Sequence, residues 1–170
     1  MATARTVNEW SPVVTQQNKF MVWSTTLVMN DNGESDIFTK RTPKELDPDK
    51  PFELIFYASN TPDGSALPVK LWGGWADNFA LAGDTTTVAA TNGVAIKQIM
   101  DNCVTAITTL PFHINFDPDL PVAEVVAVAS IASGFKVRPP KFPFYIFHFD
   151  GASTLTASIT YTLYLIQKKY

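Results

Sequence analysis

Between Thr154 and Leu165 apolar and hydroxyl-bearing residues take turns. Leu155, Ala157, Ile159, Tyr161, Leu163 and Leu165 alternate with Thr154, Thr156, Ser158, Thr160 and Thr162. A period of two places one set on each side of a strand, so the segment reads as half-buried, with one face in a core and the other in water. Phe142 to Phe149 is apolar on both faces. It reads as a strand inside a sheet covered from both sides, or lying against a partner subunit. Asp150-Gly151 marks a turn between the two runs, and Pro139 to Tyr170 is therefore expected to form a long β-hairpin.

The same reading extends along the chain. Residues 1–19 are polar and mixed, and read as an arm lying over a single domain, 20–170, rather than as a regular element; Trp10 within the arm is expected to be buried. Lys19 to Met29 is β-branched and aromatic and predicts a strand. The turn signal Asn30-Asp31-Asn32-Gly33 then leads into a returning strand over Ile37 to Arg41. A calcium loop over Asn30 to Asp36 is the competing reading, but the acidic and amide residues miss the alternate-ligand frame such a loop requires. Pro43 to Pro51 is a polar connector, and Phe52 to Ala58 a short strand. Leu67 to Trp75 is a further sheet segment that Asp77 to Ala82 continues, with a bulge, bend or close approach expected at Gly73-Gly74. Gly83 to Asn92 reads as a loop or edge strand.

Ile96, Ile99, Met100, Cys103, Val104 and Ile107 follow the spacing of an amphipathic helix, predicted over about residues 94–108. Pro111 to Pro121 reads as a loop, Val122 to Ile131 as a strand, and Phe135 to Pro140 as a lead into the terminal strands. Many short strands, Asx-Gly and Pro turns and at most one helix predict a mainly β fold. An antiparallel β-sandwich of jelly-roll type is the expected form.

Composition narrows the function. Of the 170 residues 46% are hydrophobic and only 17% charged, which predicts apolar surface covered by neighbours, as in a homo-oligomer or larger assembly. A net charge of −3 with scattered Lys and Arg lacks the footprint of a nucleic-acid binder. The single Cys103 allows no internal disulfide and points to synthesis in a reducing cytoplasm; on the predicted helix it would be a buried small hydrophobe. The first ten residues have no apolar leader core, and no run is long enough to span a bilayer, so neither secretion by that route nor membrane anchoring is expected.

Catalytic chemistry has few candidates. His148 lies in an aromatic strand, where a packed imidazole is expected. His113 with Asp117 and Asp119 offers a metal-assisted hydrolase site, although one His and two acids split by a proline form a thin pattern. Trp72-Gly73-Gly74-Trp75 offers an aromatic platform for a sugar ring, as in a fibre or adhesin; core and subunit packing of the two tryptophans is the competing reading. No cofactor is called for.

The cysteine-poor, Thr/Ala-rich, mildly acidic chain closing on TLTASITYTLYLIQ resembles the small jelly-roll structural proteins of tailed-bacteriophage virions, capsid decoration or cement proteins above all. The resemblance implies a non-enzymatic protein on the capsid surface, a homo-oligomer with the trimer as its expected state, and contacts to a major capsid protein or another virion protein, with no nucleic acid and no membrane. Expected contact residues are Trp10, Phe142, Phe144, Phe147, Phe149 and Tyr170. The arm and the terminal strand are expected to serve the lattice, the arm adding little to the core of its own subunit.

Overall fold

In the computed structural model, which describes residues 3–6, 10–13, 19–29, 36–58, 69–74, 79–82, 87–90, 96–100, 111–119, 135–137, 144–150 and 158–170, the β-branched and aromatic runs form strands and no described residue is helical. In chain order these are β1 (Thr3–Thr6), β2 (Ser11–Pro12), β3 (Phe20–Met29), β4 (Asp36–Arg41), β5 (Phe52–Ala58), β6 (Val69–Gly74), β7 (Phe79–Ala82), β8 (Thr87–Ala90), β9 (Ile96–Met100), β10 (Phe112–Phe116), β11 (Phe135–Val137), β12 (Phe144–Asp150) and β13 (Ile159–Lys168). A five-stranded sheet has the order β1-β4-β12-β6-β9, and a six-stranded sheet the order β11-β10-β5-β13-β3-β2. Among the described residues, β7 and β8 pair with each other and with no other strand. Neighbours are antiparallel except β1 with β4 and β10 with β11, which run parallel.

Four pairings are nested: β6 with β9, β5 with β10, β4 with β12 and β3 with β13. The chain doubles back on itself as one long hairpin, and β3, β4, β5 and β6 fall alternately in the six-stranded and the five-stranded sheet. This corrects the expected terminal hairpin. β12 lies between β4 and β6, and β13 lies between β5 and β3, so the segment from Asp150 to Ile159 crosses between sheets. β3 and β4 are likewise split between sheets rather than paired around Asn30–Gly33. An Asx-Gly signal specifies a reversal of the chain, not the strand it reverses onto.

The predicted helix is also corrected. Ile96–Met100 is a strand on β6, and the remainder of 94–108 lies outside the described residues. Leu71 pairs with Met100 but Trp72 with Gln98, so Ile99 is an extra residue that breaks the period of two and leaves a helix-like spacing in the sequence. Gly73 and Gly74, where the irregularity was expected, pair in regular register with Lys97 and Ile96. β10 and β11 replace the expected loop and lead-in: Phe112, Ile114 and Phe116 alternate with His113 and Asn115, while the prolines at 111 and 118 only bound the strand. β7 does not continue β6. Val122 to Ile131 lies outside the described residues.

The core lies on one face of the six-stranded sheet. Register aligns Phe116, Phe52 and Gln167 in one row, Ile114, Leu54, Leu165 and Trp23 in the next, and Phe112, Phe56 and Leu163 in the third. All are buried, each apolar one contributing about 1.5–3 kcal/mol relative to exposure. From the five-stranded sheet Phe147 meets Phe116 at a ring separation of 5.6 Å, and Tyr145 meets Phe52 at 5.7 Å. Ile146 faces the other way by alternation and is equally buried, so β12 is covered on both faces within one chain.

Two buried polar residues carry the chain from one sheet to the other. Opposite Tyr145, the backbone N–H of Thr42 donates to the Tyr145 carbonyl at 2.9 Å, while the Thr42 hydroxyl accepts from the Tyr145 N–H at 3.1 Å. A side chain thus replaces the backbone acceptor, and the main chain is released from the ladder after β4. Gln167, the polar member of its inward row, accepts from the Asp47 N–H at 2.8 Å and donates to the Asp47 carbonyl at 2.7 Å. It fastens the connector under which Leu46 is buried. Thr42→Val, which keeps the shape and deletes the hydroxyl, is expected to lower the unfolding free energy by about 1–3 kcal/mol in a denaturant titration, whereas Thr42→Ser keeps most of it.

Candidate functional site

The opposite face of the six-stranded sheet is the broadest surface whose side chains the structure describes. Alternation turns Phe20, Val22, Ser24, Thr26 and Val28 of β3 outward, with Thr160, Thr162, Tyr164, Ile166 and Lys168 of β13 and Glu53, Ile55 and Tyr57 of β5. Phe20, Val28 and Tyr57 are 39%, 39% and 43% exposed. Tyr57 and Tyr164 meet edge to face with ring centroids 5.6 Å apart. Hydroxyls and apolar groups, rather than charges, make up the centre of this face.

His113 is also on this face, on β10. Its Nδ1 lies 2.5 Å from Glu53 Oε1, diagonally across the β5–β10 pairing, with both side chains about a third exposed at 33% and 31%. A pair that open to water contributes at most about 1 kcal/mol. Glu53 was not legible as the partner of His113, because that pairing follows from strand register alone. Asp117 Oδ1 accepts the Asp119 N–H at 3.0 Å, which closes an Asx turn after β10. Among the described residues no group of three or more His, Cys, Asp and Glu side chains could hold a metal ion, and His113, Asp117 and Asp119, the alternative weighed from the sequence, do not form such a group.

The expected contact residues separate. Trp10 is buried edge-on against Phe147 at a ring separation of 6.4 Å, and Phe147 is fully buried; both fill this chain's own core and offer no surface to a partner. The arm that holds Trp10 is regular in part: β1 extends the five-stranded sheet and β2 the six-stranded one. Tyr170 is 85% exposed. Phe144 and Phe149 lie in β12, opposite Gly74 and Val69 of β6, and Trp72 lies in β6 opposite Ile146. Phe142, Trp75 and Cys103 lie outside the described residues, as does most of the Asn30–Asp36 turn. No described helix is long and apolar enough to cross a membrane.

Comparison with protein-family models, curated proteins and solved structures found no match.

Because Trp10 is a core residue, Trp10→Ala is expected to cost about 3–5 kcal/mol of folding stability, a large share of an ordinary domain's total, and Trp10→Phe much less. Thermal and denaturant unfolding of the two variants measure this directly.

Proposed function

We propose that this chain is a jelly-roll β-sandwich that serves as a non-enzymatic structural component of a bacteriophage virion, decorating or cementing the outer capsid surface as a homo-oligomer. Its partner is a major capsid protein or another virion protein. The strand order supports the sandwich. Setting aside the short peripheral strands, the two sheets are β10-β5-β13-β3 and β4-β12-β6-β9, the arrangement produced when an eight-stranded hairpin rolls up with its first strand beside its last. Jelly rolls of this kind build viral capsid proteins and lectins.

The observation that carries the role is the outward face of the six-stranded sheet. Phe20, Val22, Val28, Tyr57, Tyr164 and Ile166 stand there among threonines, with Glu53, His113 and Lys168 on the same face, where a strand face that meets only water is ordinarily polar. Aromatic residues on a weakly charged patch are the composition of a protein–protein contact. With a net charge of −3 spread along the chain, attachment rests on apolar burial rather than on electrostatic steering.

Binding to undecorated particles is therefore expected to persist at about 0.5 M salt, where charges more than a few ångströms apart are screened. Tyr57→Ser is expected to weaken it by on the order of tenfold or more with little change in the unfolding midpoint. Co-sedimentation at low and high salt, with particles and purified protein, reads both effects. Attachment lost at high salt, or unchanged by Tyr57→Ser, would place the contact elsewhere.

A further inference from the structure

β3 is paired unevenly. On one side β13 accompanies it from Phe20 to Met29, while on the other β2 covers only Trp23 and Ser24, with Val13 donating to the Val22 carbonyl at 2.8 Å. Two bonds fix which backbone groups point which way. Val22 faces β2, and the Lys19 carbonyl accepts from the Lys169 N–H at 2.9 Å on the β13 side. Odd residues of β3 therefore pair with β13, and even residues point to the outer edge. Ser24 is taken by Ser11. Among the described residues, nothing pairs with Thr26 or Val28 on that edge, and both side chains are exposed.

Natural sheet edges are blunted by charge, proline or a bulge. Pro12 does this for the stretch that β2 covers, since its missing N–H falls on the new outer edge. Thr25–Thr26–Leu27–Val28–Met29 has none of these devices: it is uncharged, proline-free and in unbroken register with β13.

We propose that this edge pairs with the same edge of a second copy, antiparallel about a twofold axis at Leu27. The pairing sets Leu27 opposite Leu27 of the second copy, Thr26 opposite Val28, and Thr25 opposite Met29. In this register each Thr26–Val28 couple exchanges both of its hydrogen bonds, so all the outward backbone groups of the two segments are used. The register also fits its boundaries. Moving it one way runs the incoming strand into β2 at Ser24, and moving it the other way leaves Thr26 unpaired, since β3 ends at Met29. Like charges do not oppose each other anywhere in the segment, and the side chains brought together on the outer face are Thr26 and Val28, both exposed in the single chain. The contact is isologous, joins two six-stranded sheets into one continuous sheet, and stands independently of the virion reading. It builds even-numbered assemblies; a trimer would need a different surface.

The test is light scattering and amide hydrogen exchange on the full chain from about 1 to 100 μM. Expected are a mass of twice the chain, or a higher even multiple, and slow exchange at the Thr26 and Val28 amides. Val28→Pro removes a donor that the β13 ladder does not use, and with it one bond on each side of the axis, which is expected to raise the dimer dissociation constant by about tenfold or more. Thr26→Lys keeps the backbone donor and sets two lysines at diagonal positions about 7–8 Å apart across the axis, with the same outcome. Both variants should keep the wild-type unfolding midpoint at concentrations where the wild type is monomeric. The proposal is overturned by a chain that stays monomeric at about 100 μM with both amides exchanging freely, by an odd-numbered oligomer, or by a dimer that persists in both variants. Amides protected only after capsid particles are added would overturn it as well, and would assign the edge to a strand from another protein.

Discussion

The last strand closes the fold. β13 enters between β3 and β5 and pairs with both over nearly its whole length, bringing residue 168 beside residue 20 and residue 161 beside residue 58. Until it arrives, β3 and β5 are strands of one sheet with no strand between them, and the inward residues Trp23, Leu27, Leu54 and Phe56 lack Leu163 and Leu165 to pack against. Loop-closure entropy opposes every such long-range pair and is recovered only when the apolar face is complete. The nested arrangement makes this severe, because of its four pairs β6 with β9 alone is comparatively close in sequence. Slow folding, with the termini committed late, follows from this topology.

The second constraint is the junction between the sheets. Phe147 sits at its centre, edge to face with both Phe116 and Trp10, while Phe52 stacks on Phe116 with ring centroids 4.8 Å apart and also meets Tyr145. Residues from β12, β5, β10 and the N-terminal segment share one aromatic cluster, so the chain's beginning is bound to the same core as its end. Thr42 and Gln167 make the crossing beside that cluster possible without leaving their own polar groups unsatisfied. One face of the six-stranded sheet is thereby committed to this packing.

Much of this was legible in the sequence, and the failures share a cause. The alternation of β13, the compact apolar run of β5 and the two-faced apolarity of β12 all depend on local side-chain pattern; the structure shows β5 as read, the alternation from Ile159 onward, and burial on both faces of β12 at Tyr145, Ile146 and Phe147. Pairing partners depend on the whole chain. Asn30–Gly33 and Asp150-Gly151 were read as turns of hairpins, yet the strands on either side of each belong to different sheets, because a turn residue encodes backbone dihedrals and not a destination. Ile99, as a bulge residue, shifted the phase of β9 and imitated a helix. β1 and β2 were too short to carry a period. Of the candidate sites, Trp10 was legible as buried but not as core of its own chain, and the Tyr57–Tyr164 pair went unnoticed because its members lie far apart in sequence and meet only through the β5–β13 register.

A chain ending at Gly151, which lacks β13, tests the account most directly. If insertion of β13 closes the fold, the truncated chain shows no cooperative thermal or denaturant transition and weak, broad amide dispersion, and adding the 152–170 segment in trans restores a cooperative transition only to the extent that the segment binds. A truncated chain that unfolds in a single sharp transition with native-like β circular dichroism would contradict it, since the fold would then be holding together without the strand that joins β3 to β5 in the six-stranded sheet.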